Sequence, residues 1–266
     1  MLIVGEKINT SRKSVKEAVE KRDAEFIKNL AKEQAESGAD YIDVNCGTFI
    51  NDEPEIMEWM VKEIQTAVDN PLCIDSPSPN AIEAGLKHHK NGQAMVNSIS
   101  GEKERYDAIK PLVTKYGCKI ISLCMDDDGI PKDAKKRFDC AKAVIDGLKE
   151  EGVKEDDIYI DPLIQPISTD TKNGPSVLET ITSIHEYYDE VHTMCGLSNV
   201  SYGLPNRKIL NQTFMIMCMT VGLDGVILDP TDKKMMAQFT SAKSLLDKDK
   251  FCKDYLKAHR KGILEV

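Results

Sequence analysis

Short runs of apolar, often β-branched residues alternate along the chain with longer stretches in which apolar residues recur at helical spacing. The short runs predict strands at 2–4, 41–45, 72–76, 94–97, 119–123, 158–161, 191–194 and 225–229. The longer stretches predict helices at 14–37, 53–69, 79–89, 102–116, 133–151, 175–189, 208–221 and 232–246. One helix follows each strand, and this strict alternation predicts parallel strands joined by crossover helices.

Eight strand–helix units in a chain of 266 residues favour a closed (β/α)8 TIM barrel of the α/β class, in a single domain that spans 1–266. An open, doubly wound sheet usually carries a glycine-rich phosphate loop after its first strand. The sequence GEKINTSR at 5–12 is not such a loop. A further helix is predicted at about 249–263, where it could cover the base of the barrel or meet a second subunit.

The formal net charge of −9 argues against a nucleic-acid partner, because an acidic surface repels phosphates. The N-terminal apolar run is too short for a signal peptide or an anchor, and there is no apolar run of about 18 residues that would predict a membrane span. The sequence therefore predicts no membrane contact and a cytoplasmic location. Small molecules and other proteins remain as partners.

The eight cysteines, at 46, 73, 118, 124, 140, 195, 218 and 252, show no CxxC or CxxxH spacing. We interpret them as reduced, apolar packing residues, and we predict no metal site. One alternative stays open. Cys46, Cys73, Cys124 and Cys195 fall near the ends of predicted strands and could converge on a thiolate zinc site.

The stretch CGLSNVSYGLPNR at 195–207 is the part of the chain that most resembles a binding surface. It follows a short apolar run, so it reads as a strand that ends in an open loop. Gly196 and Gly203 have no Cβ and leave room for a ligand to approach the backbone, while Ser198 and Asn199 offer short polar side chains. The stretch is either a binding surface or an unusually polar turn.

Polar residues stand at the C-terminal end of nearly every predicted strand. They are Glu6, Asn9, Asp43, Asn45, Asp75, Ser76, Asn97, Ser98, Asp126, Asp161, Ser198, Asn199 and Asp229, with Met125 next to Asp126. In a barrel these strand ends meet at one mouth. Each residue taken alone could simply cap a helix or form a turn. Their recurrence around the barrel favours a binding site.

Carboxylates accept hydrogen bonds, and an asparagine amide both donates and accepts them. The predicted site therefore suits a flat heterocycle with adjacent N–H donors, above all one with a guanidine-like edge. A phosphate-rich ligand would require more Arg and Lys. None of the five histidines falls at a strand end, and no GxSxG, HExxH or Cys-His nucleophile pattern is present. The site is thus predicted to bind and polarise a reagent that supplies its own reactivity.

Five motifs carry a resemblance to a known family: GEKIN (5–9), LCIDS (72–76), VNS (96–98), YIDPLI (159–164) and GLSNVSYGLPNR (196–207). They resemble the methyltetrahydrofolate:corrinoid-protein methyltransferases, which are pterin-binding barrels related to dihydropteroate synthase and to the folate domain of cobalamin-dependent methionine synthase. The resemblance extends over the whole chain, including GIPKD (129–133) and NQTF (211–214). It implies a TIM barrel, commonly a homodimer, that moves a methyl group between N5 of tetrahydrofolate and the cobalt of a corrinoid (cobalamin) carried by a partner protein.

The resemblance also implies which residues bind the substrate, tetrahydrofolate or 5-methyltetrahydrofolate. Asp75, Asn97 and Asp161 are implied to hold the ring nitrogens and the exocyclic amino group of the pterin. Asn199 is implied to lie beside N5 and to be the catalytic residue. A neutral amide suits that role, because it can donate a hydrogen bond to N5 and accept one when N5 is protonated.

The other implied substrate-binding residues are less closely tied to the reaction. Gly196 and Ser198 are implied to shape the same wall as Asn199, and Arg207 to lie near the folate. Asp43 is implied to complete the pocket, and Met125 to pack against the ring.

Several alternatives remain open at this stage. The loops TSRK (10–13), CGTFIND (46–52) and STDTKNGP (168–175) do not select between a corrinoid partner of the acetogenic pathway and one loaded from glycine betaine or another quaternary amine. A dihydropteroate synthase would need basic residues for a pyrophosphate and a Lys near the pterin, whereas the seventh strand leads into Ser198 and Asn199. A non-catalytic folate-binding subunit is the third alternative.

Overall fold

The computed structural model describes residues 1–265. Eight strands form the barrel: β1 (Leu2–Asn9), β2 (Tyr41–Asn45), β3 (Leu72–Asp75), β4 (Met95–Gly101), β5 (Lys119–Asp126), β6 (Ile158–Asp161), β7 (His192–Gly196) and β8 (Gly225–Leu228). Every pairing is parallel and follows chain order, and β8 pairs with β1 to close the sheet. The predicted (β/α)8 barrel is confirmed.

Ten α-helices surround the barrel in the described chain: α1 (Lys13–Glu20), α2 (Ala24–Glu36), α3 (Glu53–Ile64), α4 (Pro79–His88), α5 (Lys103–Tyr116), α6 (Ala134–Glu150), α7 (Asn173–Tyr187), α8 (Arg207–Thr220), α9 (Lys233–Leu245) and α10 (Lys253–Arg260). Short 3-10 turns span Glu155–Asp157, Ser198–Ser201 and Lys250–Cys252. Within residues 1–265, none of the helices combines the length and the apolar composition that crossing a membrane requires.

The single helix predicted at 14–37 is wrong, because the chain breaks it into α1 and α2. Arg22 has a positive φ of 53° between them, which ends the first helix. The Asp23 side chain then accepts a hydrogen bond of 3.1 Å from the backbone N–H of Phe26 and caps the second helix. At the other end of the chain, the helix predicted at 249–263 is shorter than expected and is preceded by a 3-10 turn.

A layer of apolar side chains fills the inside of the barrel. Its buried members are Val4, Tyr41, Cys73, Met95, Ile121, Tyr159 and Met194, one from each of the first seven strands, and Ile227 of β8 packs against them. Two larger clusters pack the outer faces of the strands against the helices. The barrel interior is therefore a solid floor, and its open end lies at the C-terminal ends of the strands.

The cysteines do not converge. Cys73 belongs to the inner layer, Cys46 and Cys124 to one outer cluster, and Cys195 to the other. All eight thiols are free in the described chain, and seven are buried. Among residues 1–265, no group of three or more His, Cys, Asp or Glu side chains is arranged to hold a metal ion.

Candidate active site

A ring of mainly polar residues lies directly above the inner apolar layer. Side chains alternate between the two faces of a strand, so the residue two positions after each member of the layer faces the same interior. These residues are Glu6, Asp43, Asp75, Asn97, Leu123, Asp161, Gly196 and Asp229. The strand register also aligns Asp75 with Asn45 on one side and with Asn97 on the other. The barrel therefore brings the predicted binding residues of β2, β3, β4 and β6 to a single mouth.

Two carboxyl groups, one buried on β2 and one half-buried on β3, lie close together. Asp43 is 3% exposed, and its Oδ1 has no hydrogen-bond partner in the described chain. Burial raises the pKa of Asp43 well above its usual value, and the charge of Asp75 raises it further. Burial also raises the pKa of Asp75 to about 6, although Asn45 Nδ2 donates a hydrogen bond of 2.8 Å to its Oδ2. The pair favours a ligand that brings hydrogen-bond donors to it.

Asp161 supplies a third carboxyl group, across the mouth on β6. Burial raises its pKa to about 7. The backbone N–H of Leu163 donates a hydrogen bond of 2.8 Å to Oδ1, and this bond and the charge of Arg137 partly offset the effect of burial. Asp161 is thus held near the point of ionisation at neutral pH, where donors from a ligand would favour its charged form.

Arg105 on α5 supports this part of the site and was not predicted from the sequence. Its guanidinium donates hydrogen bonds to the carbonyl oxygens of Ser76 and Ser98 at 2.9 Å, and to that of Pro77. These bonds join the segment that follows β3 to β4 itself. The position of Arg105 in an amphipathic helix gave no signal of this role, because an arginine there is usually solvated.

On β7, the stretch predicted as an open loop forms a 3-10 turn at Ser198–Ser201. The Asn199 side chain is exposed on this turn at the mouth. A Cβ added to Gly196 would meet no heavy atom of the described chain within 4 Å. Packing within the protein does not require a glycine there, which agrees with the prediction that a ligand approaches this wall.

Arg207 holds the turn in place. Its Nε donates a hydrogen bond of 3.0 Å to Ser201 Oγ, and its Nη2 donates one of 2.5 Å to the carbonyl oxygen of Ser198. Ser201 Oγ in turn donates a hydrogen bond of 2.7 Å to Asn211 Oδ1. The predicted contact between Arg207 and the folate stays a prediction, and the structure adds a contact with the turn that carries Asn199.

A cavity of about 230 Å³ opens on the side of the mouth formed by β1, β7 and β8. Its acidic lining residues, Glu6, Asp229 and Asp232, outnumber its basic ones, Arg12 and Lys208. Burial raises the pKa of Glu6, while Arg12, whose Nη2 lies 3.7 Å from Glu6 Oε1, lowers it. This charge balance disfavours a pyrophosphate group in the cavity.

Met125 lies near the end of β5 and is half-buried. Leu123 occupies the β5 position in the ring, so Met125, two residues later on the same strand, lies nearer to the open end of the barrel. Its predicted packing against a ring-shaped ligand remains a prediction.

Comparison with known proteins identifies a matching family and two relatives that are similar in sequence. Residues 5–229 match the family model of pterin-binding enzymes. The chain is 38% identical over 264 residues to a methylcorrinoid:tetrahydrofolate methyltransferase of Eubacterium limosum, with 98% of this chain and 97% of the relative covered. It is 29% identical over 241 residues to methionine synthase of Mycobacterium tuberculosis, covering 86% of this chain and 20% of that protein.

The fold is also that of a solved enzyme. A dihydropteroate synthase from Xanthomonas albilineans, in complex with 7,8-dihydropteroate, superposes with a TM-score of 0.69 at 15% identity, with 92% of each chain covered. At that identity the likeness concerns the fold alone. The family model and the E. limosum relative show that the chain belongs to the pterin-binding enzymes.

Proposed function

We propose that the protein is a methyltransferase that moves a methyl group between N5 of tetrahydrofolate and the cobalt of a corrinoid carried by a partner protein. The observation that carries this proposal is the near full-length similarity to a methylcorrinoid:tetrahydrofolate methyltransferase. The mouth of the barrel supports it, since half-buried Asp75 and Asp161 face the same interior as Asn97.

The acidic ring fits the pterin part of the substrate. A pterin presents a guanidine-like edge of adjacent N–H donors, which a carboxylate binds at two points. In our proposal Asp75 and Asp161 accept these hydrogen bonds, and Asn97 pairs with a ring atom through its amide. Asp43 completes the pocket with its Oδ1, which has no partner within residues 1–265, and Met125 packs against the pterin ring.

The turn after β7 fits the part of the folate substrate that carries the methyl group, namely N5. In our proposal Gly196 and Ser198 form the wall beside the pterin, and the amide of Asn199 lies beside N5. When tetrahydrofolate is methylated, the N5 lone pair attacks the methyl group of the methylcorrinoid in line, the electron pair of the broken Co–C bond stays on cobalt as Co(I), and N5 loses its proton. In the reverse direction Co(I) attacks the methyl group on protonated N5, and the electron pair of the broken C–N bond returns to N5. Asn199 donates a hydrogen bond to N5 and accepts one once N5 is protonated, so it orients N5 without holding a charge of its own.

The direction of transfer and the source of the methyl group are part of the same proposal. Transfer from methylcorrinoid to tetrahydrofolate is the direction printed in the name of the E. limosum relative. We propose a role in one-carbon metabolism, either in an acetogenic pathway or in the demethylation of glycine betaine or another quaternary amine.

Dihydropteroate synthesis is the second candidate and is supported only by the shared fold. That reaction requires a pyrophosphate site, and the cavity beside β1 and β8 is lined by more acidic than basic residues. The turn after β7 carries Ser198 and Asn199 and has no lysine. A non-catalytic folate-binding subunit is the third candidate.

An absorbance assay separates these candidates. The protein is mixed with 5-methyltetrahydrofolate and Co(I) cobalamin, and then with tetrahydrofolate and methylcobalamin, before the assays are repeated with corrinoid proteins of both metabolic types. We expect the corrinoid spectrum to change in both directions. Folate binding without any spectral change would indicate a binding subunit, and product from pterin pyrophosphate and p-aminobenzoate would indicate a synthase.

We also propose a homodimer and a cytoplasmic location, with the pterin-binding unit extending over the whole chain as one domain. The free thiols fit a reducing compartment. For the dimer we favour the outer face of α8 and α9, where Ile209 is 65% exposed, Met217 44% and Leu245 86%. Light scattering should give a dimer for the native chain and a smaller mass for Ile209→Glu, and an unchanged mass would place the interface elsewhere.

A further inference from the structure

The guanidinium group of Arg137, on α6, is buried, but two of its nitrogens have no hydrogen-bond partner in the described chain. Its side chain is 0% exposed, and its Nε donates a hydrogen bond of 2.9 Å to the carbonyl oxygen of Pro131. Neither Nη1 nor Nη2 has a partner within residues 1–265. Buried polar groups are nearly always paired, and an unpaired buried cation is costlier than an unpaired amide. The position therefore calls for a further group that accepts hydrogen bonds from this guanidinium.

A cavity of about 340 Å³ lies against Arg137. Its other polar lining residues include Lys132, Gln165, Thr169, Asp170 and Asn173. The single carboxylate among them, Asp170, already accepts a hydrogen bond of 2.9 Å from the backbone N–H of Lys172. Two cations and one carboxylate leave the cavity suited to an anion.

The cavity lies between two loops of the barrel mouth, the one that joins β5 to α6 and the one that joins β6 to α7. These loops contain the GIPKD motif at 129–133 and most of the STDTKNGP segment at 168–175, for which the pterin site offers no role. The cavity is also next to the active site. Gln165 follows Asp161 by only a few residues, and the charge of Arg137 acts directly on Asp161.

We propose that this cavity binds a carboxylate of the substrate's glutamate tail while the pterin ring occupies the acidic mouth. This inference rests on the proposed function. Tetrahydrofolate carries two carboxylates on the glutamate beyond its aminobenzoyl group, and a planar guanidinium with two free nitrogens matches a carboxylate at two points. Lys132, an exposed residue of the cavity lining, adds a second positive charge.

The test compares two ligands that differ only in charge: tetrahydrofolate and its bis-amide, in which both glutamate carboxylates are amidated. Dissociation constants are measured by calorimetry for the native chain, Arg137→Met, Arg137→Lys and Lys132→Met. We expect the native chain to bind tetrahydrofolate about tenfold more tightly than the bis-amide. This preference should fall below about threefold in Arg137→Met and remain intermediate in Arg137→Lys, which keeps the charge but loses the planar pair of donors.

Lys135→Met is the matched control, since Lys135 is exposed on the same helix and lies outside the cavity. It should keep the full preference. Lys132 is exposed, so Lys132→Met serves if Arg137→Met does not fold, and it should lower the preference at least about twofold.

Three results would overturn the inference. Equal affinity of the native chain for both ligands is the first, and an unchanged preference in Arg137→Met is the second. Saturation of the cavity by inorganic phosphate with no effect on tetrahydrofolate affinity is the third, and it would assign the guanidinium to a free anion. Failure of both ligands to bind the native chain would instead defeat the proposed function itself.

Discussion

Arg207 Nη2 donates a hydrogen bond of 2.5 Å to the carbonyl oxygen of Ser198, the residue immediately before Asn199. The same guanidinium holds the hydroxyl of Ser201 at the other end of the turn, through a 3.0 Å bond from Nε. One side chain thus spans the turn that presents Asn199 to the mouth. We infer that Arg207 acts on the reaction by positioning Asn199.

Arg207→Met should therefore slow methyl transfer more than it weakens folate binding. Both lost hydrogen bonds are to neutral acceptors, so the free energy of unfolding should fall by only about 1 kcal/mol per bond and the variant should still fold. We expect kcat to fall at least about tenfold while the dissociation constant of tetrahydrofolate changes less than about threefold. Stopped-flow absorbance and calorimetry measure the two quantities.

Lys233→Met is the control for this variant. Lys233 is the first residue of α9, is exposed, and is not among the residues that line the cavity at the mouth. It should leave both quantities nearly unchanged. Equal losses of rate and affinity in Arg207→Met would show that Arg207 contacts the folate directly.

Truncation of Asn199 should mainly slow methyl transfer, whereas truncation of Asp161 should mainly weaken folate binding. Asn199 lies on the exposed turn, so Asn199→Ala should keep folate affinity within about tenfold, or roughly 1.4 kcal/mol, while the transfer rate drops much further. Asp161 accepts hydrogen bonds from the pterin in our proposal, so Asp161→Ala should weaken binding itself. If both variants lost rate and affinity in the same proportion, the two assigned roles would be wrong.

Gly196 offers a test of the wall beside the pterin. A Cβ at this position meets no heavy atom of the described chain within 4 Å, so Gly196→Ala should fold with an unchanged or slightly higher melting temperature. If the pterin lies against this wall, the added methyl group should weaken tetrahydrofolate binding at least about tenfold. Calorimetry of the folded variant measures this loss.

Gly225→Ala provides the contrast. A Cβ there would lie 2.5 Å from Met194 Cε in the inner layer, so this variant should lose stability. Normal folate affinity in Gly196→Ala would place the pterin away from β7.

The inner face of the barrel was largely predictable from the sequence. Strands alternate with a period of two, so Cys73 in the floor places Asp75 in the ring, and Tyr159 places Asp161 there in the same way. Strand–helix alternation supplied the barrel that brings these positions together. Once the strands were identified, the alternation of residues along each strand showed which side chains face the barrel interior.

The contacts that organise the mouth were not predictable in this way. Arg105 and Arg137 both lie on helices. The Arg105 guanidinium reaches backbone carbonyls after β3, 28 and 29 residues earlier in the chain, whereas Arg137 reaches the carbonyl oxygen of Pro131 in the loop before its own helix. Helical spacing shows which face of a helix is apolar, but it does not show which loop folds over its end. The break at Arg22 was also missed, although the next residue, Asp23, is of a type common at helix N-caps and does cap the second helix.

The half-buried carboxyl groups of Asp161 and Asp75 should make both the stability of the fold and folate binding depend on pH. Burial raises the pKa of Asp161 to about 7 and that of Asp75 to about 6, from an ordinary value of 3.8. A carboxyl group with a raised pKa is protonated in the free folded protein below that pKa. Its favourable contribution to the free energy of unfolding is therefore fully present below pH 3.8 and, for Asp161, is lost as the pH rises through about 7.

Folate binding should show the opposite trend, because the N–H donors of a pterin favour ionised carboxylates. Affinity should rise with pH between about 5 and 7, by up to about tenfold per unit for each proton released. Calorimetry in buffers of different ionisation enthalpy counts those protons. Asp161→Asn removes the group that titrates near pH 7, so this variant should bind more weakly at pH 8 and lose the upper part of the slope. A native chain whose affinity is constant from pH 5 to 8, or a variant with an unaltered slope, would show that Asp161 does not bind the pterin as a carboxylate.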